Sequence, residues 1–253
     1  MNQEERLEYW KTEEKMAHIH GWDFSHIAGR YEEEEDLPWD YKKIIETYLK
    51  PSDNLLDIDT GGGEFLLTLA HPYGNTSATE AYPPNVELCR EQLSPLGIHF
   101  YEAQDYACLP FQDESFDIVI NRHGTFDVPE LNRILKPGGL FITQQVGEWN
   151  DRELVELLLP DCPPSFPGWN LENNILNFRQ NGFVILQREE VFRPIRFYDV
   201  GALVWFARII EWEFVGFSVE NCWKRLEEAR KILVEKGVIE GQIHRFLLVA
   251  QKK

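Results

Sequence analysis

The spacing of apolar residues changes near position 50, from the period of a helix to that of a buried strand. Apolar side chains recur at helical spacing over residues 40–49, and Pro51 marks the end of this predicted helix. A continuous apolar run follows at 54–58, and a glycine-rich turn at 59–63 separates it from the apolar segment 64–70. This order predicts a strand, a tight turn and a second helix.

The same alternation of strands and helices continues to residue 146. Further strands are predicted at about 75–80, 98–101, 116–120 and 140–146, and further helices at 83–93 and 127–135. The sequence KPGG at residues 136–139 is interpreted as the stop signal of the last of these helices. Because the strands are mostly apolar and alternate with helices, we expect a parallel sheet with helices on both faces.

Beyond Trp149 the pattern is looser. It predicts helices at 151–159 and 171–181, a proline-rich loop at 160–167, and strands at 183–187 and 244–250. Together these elements indicate an α/β fold with an open sheet of about seven strands, mostly parallel with an antiparallel terminal strand. We expect a helical N-terminal cap over residues 1–50 and one α/β domain over 51–253, in which residues 195–240 form a lid insertion.

Composition and charge narrow the classes of partner. The chain has 253 residues, of which 43% are hydrophobic, so it is too apolar to be disordered and long enough for one ample core. Its formal net charge is −18, which disfavours a general nucleic-acid-binding protein and docking on an anionic membrane. The acidic run at residues 32–36 is expected to be a solvated face or loop.

The cysteines and the N-terminal residues predict a cytoplasmic protein. The four cysteines form no CxxC pair and have no histidine at zinc-finger spacing, so we expect free thiols in a reducing compartment and no metal site. The first fifteen residues are charged and have no apolar core of a signal peptide. The longest apolar stretch, 201–219, contains Arg208, Glu211 and Glu213, which argues against a membrane helix.

Polar and acidic residues follow several predicted strands, at the point where each strand ends. The glycine turn follows the first strand, Glu80 ends the second, and Asp105 with Tyr106 follows the third. Open α/β sheets bind ligands at the carboxyl ends of their strands, where a glycine turn lets backbone amides approach a nucleotide-like ligand. A carboxylate at Glu80 is suited to accept hydrogen bonds from ribose hydroxyls, and Tyr106 offers a packing surface.

Four ordered motifs resemble those of a known family. They are LLDIDTGGGEF at 55–65, Glu80, LPFQDESFDIVINRHG at 109–124, and LNRILKPGGLFITQQ at 131–145. The sequence resembles the class I S-adenosylmethionine-dependent methyltransferases, and among them the group that contains the quinone-biosynthesis C-methyltransferases. The resemblance covers about residues 45–147 and the two terminal strands. It implies a Rossmann-like fold and S-adenosylmethionine as the cofactor, but it does not specify a substrate.

The resemblance also implies which residues hold the cofactor. These candidates are Asp57, Asp59, Thr60, Gly61, Gly62, Gly63, Glu80, Ala81, Asp105, Tyr106 and Asn121. By this resemblance Asp57 orients the methionine end of the cofactor, and Thr60, Gly61 and Gly63 form the turn beneath it. Glu80 binds the ribose hydroxyls, Asp105 the adenine amino group, and Asn121 lines the sulfonium site.

One position departs from the family pattern. Asp59 stands where the family usually has glycine at the start of the turn. Its carboxylate either pairs with the ammonium group of the cofactor or crowds the turn, and the sequence leaves both interpretations open.

His123 is the candidate catalytic residue. It lies just beyond the fourth strand, and an imidazole with a pKa near neutrality is suited to act as a general base. The alternative is a packed or solvent-facing histidine without a catalytic role. Methyl transfer from an activated sulfonium depends mainly on alignment and desolvation, so the function does not require a base.

Aromatic residues cluster in two segments, 10–41 and 197–217, and are interpreted as core residues or as a lid that encloses a planar or apolar substrate. The second segment contains Phe197, Trp205, Phe206, Trp212, Phe214 and Phe217. Asp40, Arg193 and Arg196 lie near these segments, where an arginine either binds an acidic substrate or pairs with the surplus carboxylates.

Several functions agree with the sequence. The favoured hypothesis is a methyltransferase that acts on a small-molecule acceptor, with no membrane partner. An RNA methyltransferase and a catalytically silent cofactor-binding protein are the alternatives. A nicotinamide-dependent dehydrogenase is disfavoured, because the turn lacks the GxGxxG spacing. The identity of the acceptor and the oligomeric state lie beyond what the sequence predicts.

Overall fold

The computed structural model describes residues 1–18, 23–33 and 36–253. Trp22 of the first aromatic segment lies outside the described residues, as do Glu34 and Glu35 of the acidic run. The chain divides into two compact units. Unit 1 consists of Met1–Leu37, Gly147–Gly168 and Phe192–His244, and unit 2 consists of Pro38–Val146, Trp169–Val191 and Arg245–Lys253. The N-terminal cap at 1–50 and the lid insertion at 195–240 stay predictions.

In the described part of the chain, eight strands form one sheet. They are β1 (Tyr31–Glu33), β2 (Leu55–Ile58), β3 (Thr76–Glu80), β4 (His99–Glu102), β5 (Phe116–Arg122), β6 (Leu135–Val146), β7 (Phe183–Phe197) and β8 (Ile239–Lys252). The order across the sheet is β1-β7-β8-β6-β5-β2-β3-β4. From β6 to β4 every neighbouring pair is parallel, whereas β8 is antiparallel to β6, and β1 is antiparallel to β7. The predicted fold class is therefore confirmed.

Helices accompany the strands, and the bounds of the six that lie between residues 41 and 180 are close to those predicted from the apolar spacing. The helices are α1 (Gln3–Met16), α2 (Tyr41–Tyr48), α3 (Glu64–Thr68), α4 (Pro83–Gln92), α5 (Val128–Ile134), α6 (Arg152–Leu158), α7 (Leu171–Gln180), α8 (Val200–Ile209) and α9 (Trp223–Lys236). Among the described residues, no helix combines the length and the apolar character needed to cross a bilayer.

The strand order reverses at the centre of unit 2. The chain leads from β2 outward to β3 and β4 on one side, and then returns to β5 and β6 on the other. All residues of β2 and β3 are buried, as expected for strands that are covered on both faces. The carboxyl ends of β2 and β5 therefore flank the switch point of the sheet, where open α/β sheets bind ligands.

The predicted strand bounds were wrong in four places. Strand β8 begins at Ile239 instead of near residue 244. The additional strand β1 lies in an acidic segment with no apolar pattern, so nothing in the sequence indicated it. Strand β7 continues to Phe197 instead of ending near residue 187. The prediction missed this continuation because the middle residues of the strand are charged and only partly buried, so they show no apolar pattern. The KPGG sequence at 136–139 lies inside β6, where the register shifts between the pairs Phe116–Leu135 and Ile118–Leu140, so these residues form an irregularity in the strand.

The core of unit 1 contains most of the second aromatic segment. Phe197, Trp205, Phe206, Phe214 and Phe217 are buried there, whereas Trp212 is exposed. These side chains pack around α8, which is buried along almost its whole length. Their interpretation as core residues is confirmed for unit 1, and their role as a lid stays a prediction.

The arginines near the aromatic segments pair with carboxylates. Arg193 lies 3.5 Å from the carboxylate of Asp36, and Arg196 lies 2.7 Å from that of Glu240. Asp40 accepts a hydrogen bond from the backbone amide of Lys43 and so caps the N-terminus of α2. Both arginines therefore pair with carboxylates of the protein, which was the second of the two interpretations, the first being that they bind an acidic substrate.

Candidate functional site

The glycine turn between β2 and α3 is open to a ligand at its centre. Gly61 and Gly63 both have positive φ angles, of 65° and 86°, which only glycine adopts at low cost. The amide of Thr60 donates to the carbonyl of Thr79 on β3, and that of Gly63 donates to the carbonyl of Thr60. A side chain added at Gly61 would meet no atom within 4 Å, so the backbone there is accessible.

Space does not require glycine at Gly62, because a side chain here would meet only the end of the exposed, flexible Glu64 side chain. A Cβ atom at this position would lie 2.2 Å from Oε1 of Glu64, the first residue of α3. The turn at 60–63 therefore has the predicted conformation, and its contact with a cofactor stays a prediction.

Asp57 lies at the centre of β2 with its carboxylate buried. The hydroxyl of Thr60 donates to Asp57 Oδ2 over 2.7 Å. Burial raises the pKa of Asp57 to about 7, although the Thr60 hydrogen bond and the charge of Arg122 act in the opposite direction. A buried carboxylate with such a pKa is poised to ionise when a cation binds next to it.

Asp59 fits the turn because it adopts a left-handed conformation, with φ of 58°. Aspartate tolerates this region better than most residues. Its Oδ1 accepts a hydrogen bond from the Tyr106 hydroxyl, and its Oδ2 accepts one from the backbone amide of Thr125 over 3.2 Å. Burial raises the pKa of this carboxyl as well. Asp59 thus links the turn after β2 to the loops after β4 and β5.

The side chain of Asp59 has space because residue 124 is glycine. A Cβ atom at Gly124 would lie 2.5 Å from the Cβ of Asp59 and 2.8 Å from Nδ2 of Asn121. Gly124 was not among the candidate residues, although it ends the motif at 109–124 and lies two residues after β5, where a glycine can mark such a close approach.

Glu80 ends β3 and binds backbone amides on both sides. Its Oε1 accepts from the amides of Ala81 and Tyr82, over 2.8 and 2.9 Å, and its Oε2 accepts from the amide of Gly61 over 2.8 Å. Nδ2 of Asn85 also lies 3.5 Å from Oε2, at the limit of a hydrogen bond. An ionised carboxylate has about four acceptor positions, so Glu80 can accept one ribose hydroxyl where this long contact yields, and a second one requires that a backbone donor be displaced.

Asp105 and Tyr106 lie in the loop after β4 and differ in exposure. Asp105 is exposed, and its Oδ1 accepts from the amide of Ala107 over 2.9 Å, so it stabilises its own loop. Tyr106 is half-buried, and its hydroxyl is held by Asp59. The predicted contacts of both residues with adenine stay predictions.

The side chain of Asn121 is completely buried and joins three strands. Its Nδ2 donates to the carbonyl of Ile58 on β2 over 2.9 Å, and its Oδ1 accepts from Nε2 of Gln145 on β6 over 2.6 Å. These bonds fix the ends of β2, β5 and β6 relative to one another. The structure therefore gives Asn121 a positioning role, and its predicted contact with the sulfonium stays a prediction.

His123 follows β5 in a left-handed conformation, with φ of 63°. Its backbone amide donates to the carbonyl of Gln144, and its Nε2 lies 3.0 Å from Nε2 of Gln144. Part of the residue is exposed, while surrounding protein atoms and the charges of Arg245 and Arg122 lower its pKa. A histidine in this environment is neutral at pH 7 and is a weak base.

Two residues near His123 were not predicted from the sequence: Gln144, which contacts His123 directly, and Trp39, which is hydrogen-bonded to Gln144. Gln144 lies on β6, and Trp39 precedes α2 and donates from Nε1 to Oε1 of Gln144 over 2.8 Å. Trp39 was included among the aromatic residues of the first segment, but nothing in the sequence linked it to position 144. The pairing of β5 with β6 brings Gln144 next to His123, and the hydrogen bond from Trp39 then joins Trp39 to Gln144.

The acidic side of the site fits a cationic ligand. Besides burial, the charge of Glu80 raises the pKa values of both Asp57 and Asp59, so the three carboxylates repel one another. A bound cation relieves this repulsion. S-adenosylmethionine carries a sulfonium, an ammonium and a ribose diol, and the donors and acceptors present therefore suit it.

Comparison with known proteins agrees with this geometry. Residues 56–143 match the family model described as a methyltransferase domain. The phthiotriol/phenolphthiotriol dimycocerosates methyltransferase of Mycobacterium leprae is 33% identical over 102 residues, which are 35% of this chain and 37% of that protein. A demethylmenaquinone methyltransferase of Staphylococcus saprophyticus is 25% identical over 142 residues, which are 49% of this chain and 61% of that protein.

A third relative is the 2-methyl-6-phytyl-1,4-hydroquinone methyltransferase of Synechocystis. It is 31% identical over 113 residues, which are 42% of this chain and 35% of that protein. The matched part of the chain thus spans less than two thirds of the length of each of these relatives.

Solved structures show the same fold. The YcgJ protein of Bacillus subtilis has a TM-score of 0.56 at 20% identity, covering 84% of this chain and 97% of that protein. The [4+2]-cyclase SpnF has a TM-score of 0.52 at 18% identity, covering 93% and 88% of the two chains. Because one of these neighbours is named a cyclase, the fold alone does not determine the reaction. Residues 56–143 therefore form a methyltransferase domain, and the resemblance to the class I S-adenosylmethionine-dependent methyltransferases is confirmed over this part of the chain.

Proposed function

We propose that this protein transfers a methyl group from S-adenosylmethionine to a small organic acceptor that carries oxygen. The observation that supports this most is the group of carboxylates around the glycine turn at the switch point of the sheet: Asp57 and Glu80, which are buried, and Asp59, which is partly buried. Bound S-adenosylmethionine supplies an activated methyl group on a cationic sulfur. The residues of the chain bind, orient and desolvate the reacting groups.

In this proposal Asp57 and Glu80 bind different parts of the cofactor. Asp57, which Thr60 orients, binds the cationic methionine end, and the remaining acceptor position of Glu80 binds a ribose hydroxyl. The open backbone at Gly61 lies beneath the ligand. Asp59 contributes negative charge, while its bonds to Tyr106 and Thr125 keep the turn in shape.

The proposed acceptor class comes from the relatives. Their names specify a demethylmenaquinone, a phytyl hydroquinone and phthiotriol or phenolphthiotriol, each of which is an organic molecule with oxygen substituents. We propose a hydroquinone-like acceptor for this chain. A net charge of −18 disfavours the alternative RNA substrate, since RNA binding depends on phosphate contacts with clustered cations.

We infer that the protein works in a reducing compartment, namely the cytoplasm. All four cysteines are free thiols, and two of them, Cys89 and Cys222, are buried. Disulfides form and persist in oxidising compartments, so four unpaired thiols favour a reducing one.

Two measurements test the proposed function. Calorimetry with S-adenosylmethionine and with NAD separates the cofactor classes, and we expect saturable binding of the first and none of the second. Incubation with methyl-labelled S-adenosylmethionine and reduced 1,4-naphthoquinone should then yield a labelled quinol, whereas a transfer RNA pool should remain unlabelled. Binding of the cofactor without labelling of any acceptor would favour the silent cofactor-binding protein, and labelled RNA would favour the RNA methyltransferase.

A further inference from the structure

We propose that Trp39 and Gln144 fix His123 as a neutral tautomer with its proton on Nδ1, so that it donates a hydrogen bond to an oxygen atom of the methyl acceptor. This assigns His123 the role of a donor that positions the acceptor, instead of the role of a general base. The proposal rests on the proposed methyl transfer for its ligand, whereas the tautomer itself does not depend on any activity.

Trp39 determines which atoms donate and which accept in the hydrogen bonds that run from Trp39 through Gln144 to His123. An indole nitrogen is a donor only, so the atom of Gln144 that lies 2.8 Å from Trp39 Nε1 must be the amide oxygen. The amide nitrogen of Gln144 therefore faces His123 Nε2, at 3.0 Å. An amide nitrogen is also a donor only, so His123 Nε2 must accept and carries no proton.

The neutral state of His123 follows from its surroundings. Protonation would place a second proton on Nε2, directly opposite the amide protons of Gln144. The cations near the ring act in the same direction, since Arg122 on β5 and Arg245 on β8 both lower the pKa of His123. The remaining proton then resides on Nδ1, the opposite side of the ring.

The position of His123 in the sheet suits a contact with the acceptor. It directly follows β5 at the switch point of the sheet, two residues after Asn121, and part of the residue is exposed. Within residues 1–18, 23–33 and 36–253, no hydrogen bond joins Nδ1 of His123 to the protein. Its left-handed backbone conformation is unusual for a residue other than glycine, and such strain often occurs at functional sites.

An Nδ1–H group suits an oxygen-bearing acceptor. It binds a lone pair of a hydroxyl, phenolate or carbonyl oxygen and so orients the molecule, while no proton leaves the acceptor to this ring. Gln144 and Trp39 are positioning residues in this arrangement, because they act through His123. A base at this position would instead need a free lone pair, and the lone pair of Nε2 is occupied by Gln144.

The direct test is the tautomer, measured by long-range proton–nitrogen correlation NMR on the ¹⁵N-labelled full chain near pH 7. The chain has seven histidines, and the signals of His123 are assigned by their loss in His123→Asn. We expect a protonated Nδ1 and an unprotonated Nε2, unchanged down to pH 5. An Nε2–H tautomer or an imidazolium at pH 7 would overturn the proposal.

Two variants test the cause. In Gln144→Glu the side chain presents an acceptor to both Trp39 and His123, so the His123 proton should move to Nε2. In Trp39→Phe the Gln144 amide is free to rotate, and a mixture of tautomers is expected. The exposed Gln180→Glu, also in unit 2, adds the same charge and should leave the His123 signals unchanged. If the Nδ1–H tautomer persists in both Gln144→Glu and Trp39→Phe, the proposal that Trp39 and Gln144 fix the tautomer is wrong.

The ligand is tested separately. Reduced 1,4-naphthoquinone, added in the presence of S-adenosylhomocysteine, should shift the Nδ1 signal of His123. In His123→Gln, which cannot place a donor at the same point, the affinity for the quinol should fall. His123→Asn, whose amide nitrogen lies near the position of Nδ1, should retain part of the quinol affinity. If the probe does not perturb Nδ1 while the tautomer is as expected, the oxygen-donor role is wrong, although the methyltransferase proposal stands.

Discussion

The two sides of the switch point differ in how their polar groups are satisfied. After β2 and β3 the side chains are carboxylates that accept from backbone amides, as Glu80 does from Gly61, Ala81 and Tyr82. After β5 the groups are neutral and bond to other side chains, as Asn121 and His123 do with glutamines of β6. On the first side the carboxylates repel one another until a cation binds, whereas on the second side neutral hydrogen bonds hold the side chains and leave Nδ1 of His123 for the acceptor.

This difference separates cofactor binding from acceptor positioning. Mutual repulsion of carboxylates makes the first side responsive to charge and pH. A closed network of amides makes the second side responsive to the exact polarity of each donor and acceptor. Substitutions on the first side should therefore change cofactor affinity and its pH dependence, whereas substitutions on the second side should change the position of the acceptor.

Glu80→Ala should have the largest effect. It removes the acceptor of three backbone amides and the predicted ribose contact, and hydrogen bonds to a charged group are each worth about 1.5–3 kcal/mol. We expect S-adenosylmethionine affinity to fall by about 10- to 100-fold, together with a lower Tm. Glu102→Ala, at the exposed end of β4, is the matched control and should retain affinity in the same calorimetric titration.

Gly124→Ala should destabilise the fold by about 1–3 kcal/mol, as overpacking of a close contact does. The added Cβ would meet Asp59 at 2.5 Å. Asp59→Gly in the same chain should recover part of the loss, because it removes the atoms that collide. Gly74→Ala, where a Cβ meets nothing within 4 Å, serves as the control in denaturant unfolding. Equal losses in the single and double variants would show that the two positions are not coupled.

Cofactor affinity should rise with pH up to about 7 and then level off. Asp57 has a pKa of about 7 and is protonated below it, and a cation favours the carboxylate, so binding releases a proton. The change approaches tenfold per pH unit, the limit for one proton. Calorimetry across this range measures it, and Asp57→Asn should flatten the profile. An affinity that falls as pH rises would contradict the assignment of Asp57.

Tyr106→Phe should have the smallest effect. It removes one hydroxyl donor from Asp59, and a typical hydrogen bond contributes about 1 kcal/mol. The pKa of Asp59 should rise further when that donor is lost. Thermal unfolding measures the loss of stability, and Tyr101→Phe, an exposed tyrosine of β4, should leave Tm unchanged.

The sequence predicted the sheet and the acidic side of the site because both are local. A glycine turn after an apolar run and an acid at a strand end are visible as patterns, so Asp57, Gly61, Gly63 and Glu80 could be identified directly. The fit of Asp59 could not, since it depends on Gly124, which lies 65 residues further along the chain. Asp59 has a positive φ angle and accepts hydrogen bonds from Tyr106 and Thr125, which lie in two other loops. This arrangement therefore depends on the packing of three loops.

The neutral side was less predictable for the same reason. From its residue type His123 was a candidate general base, with a packed or solvent-facing histidine as the alternative. Its chemistry depends on Gln144 and Trp39, which reach it through strand pairing and one buried hydrogen bond. The length of β7 was missed because its middle residues are charged and partly exposed. Long-range contacts and half-buried strands leave little trace in apolar spacing.

The measurement that tests the central claim most directly is calorimetric titration of the folded chain with S-adenosylmethionine above pH 7, beside Glu80→Ala and Glu102→Ala. We predict saturable binding at one site, weakened by about 10- to 100-fold in the first variant and unchanged in the second. Absence of binding to the folded chain, or equal affinity in Glu80→Ala, would contradict the account.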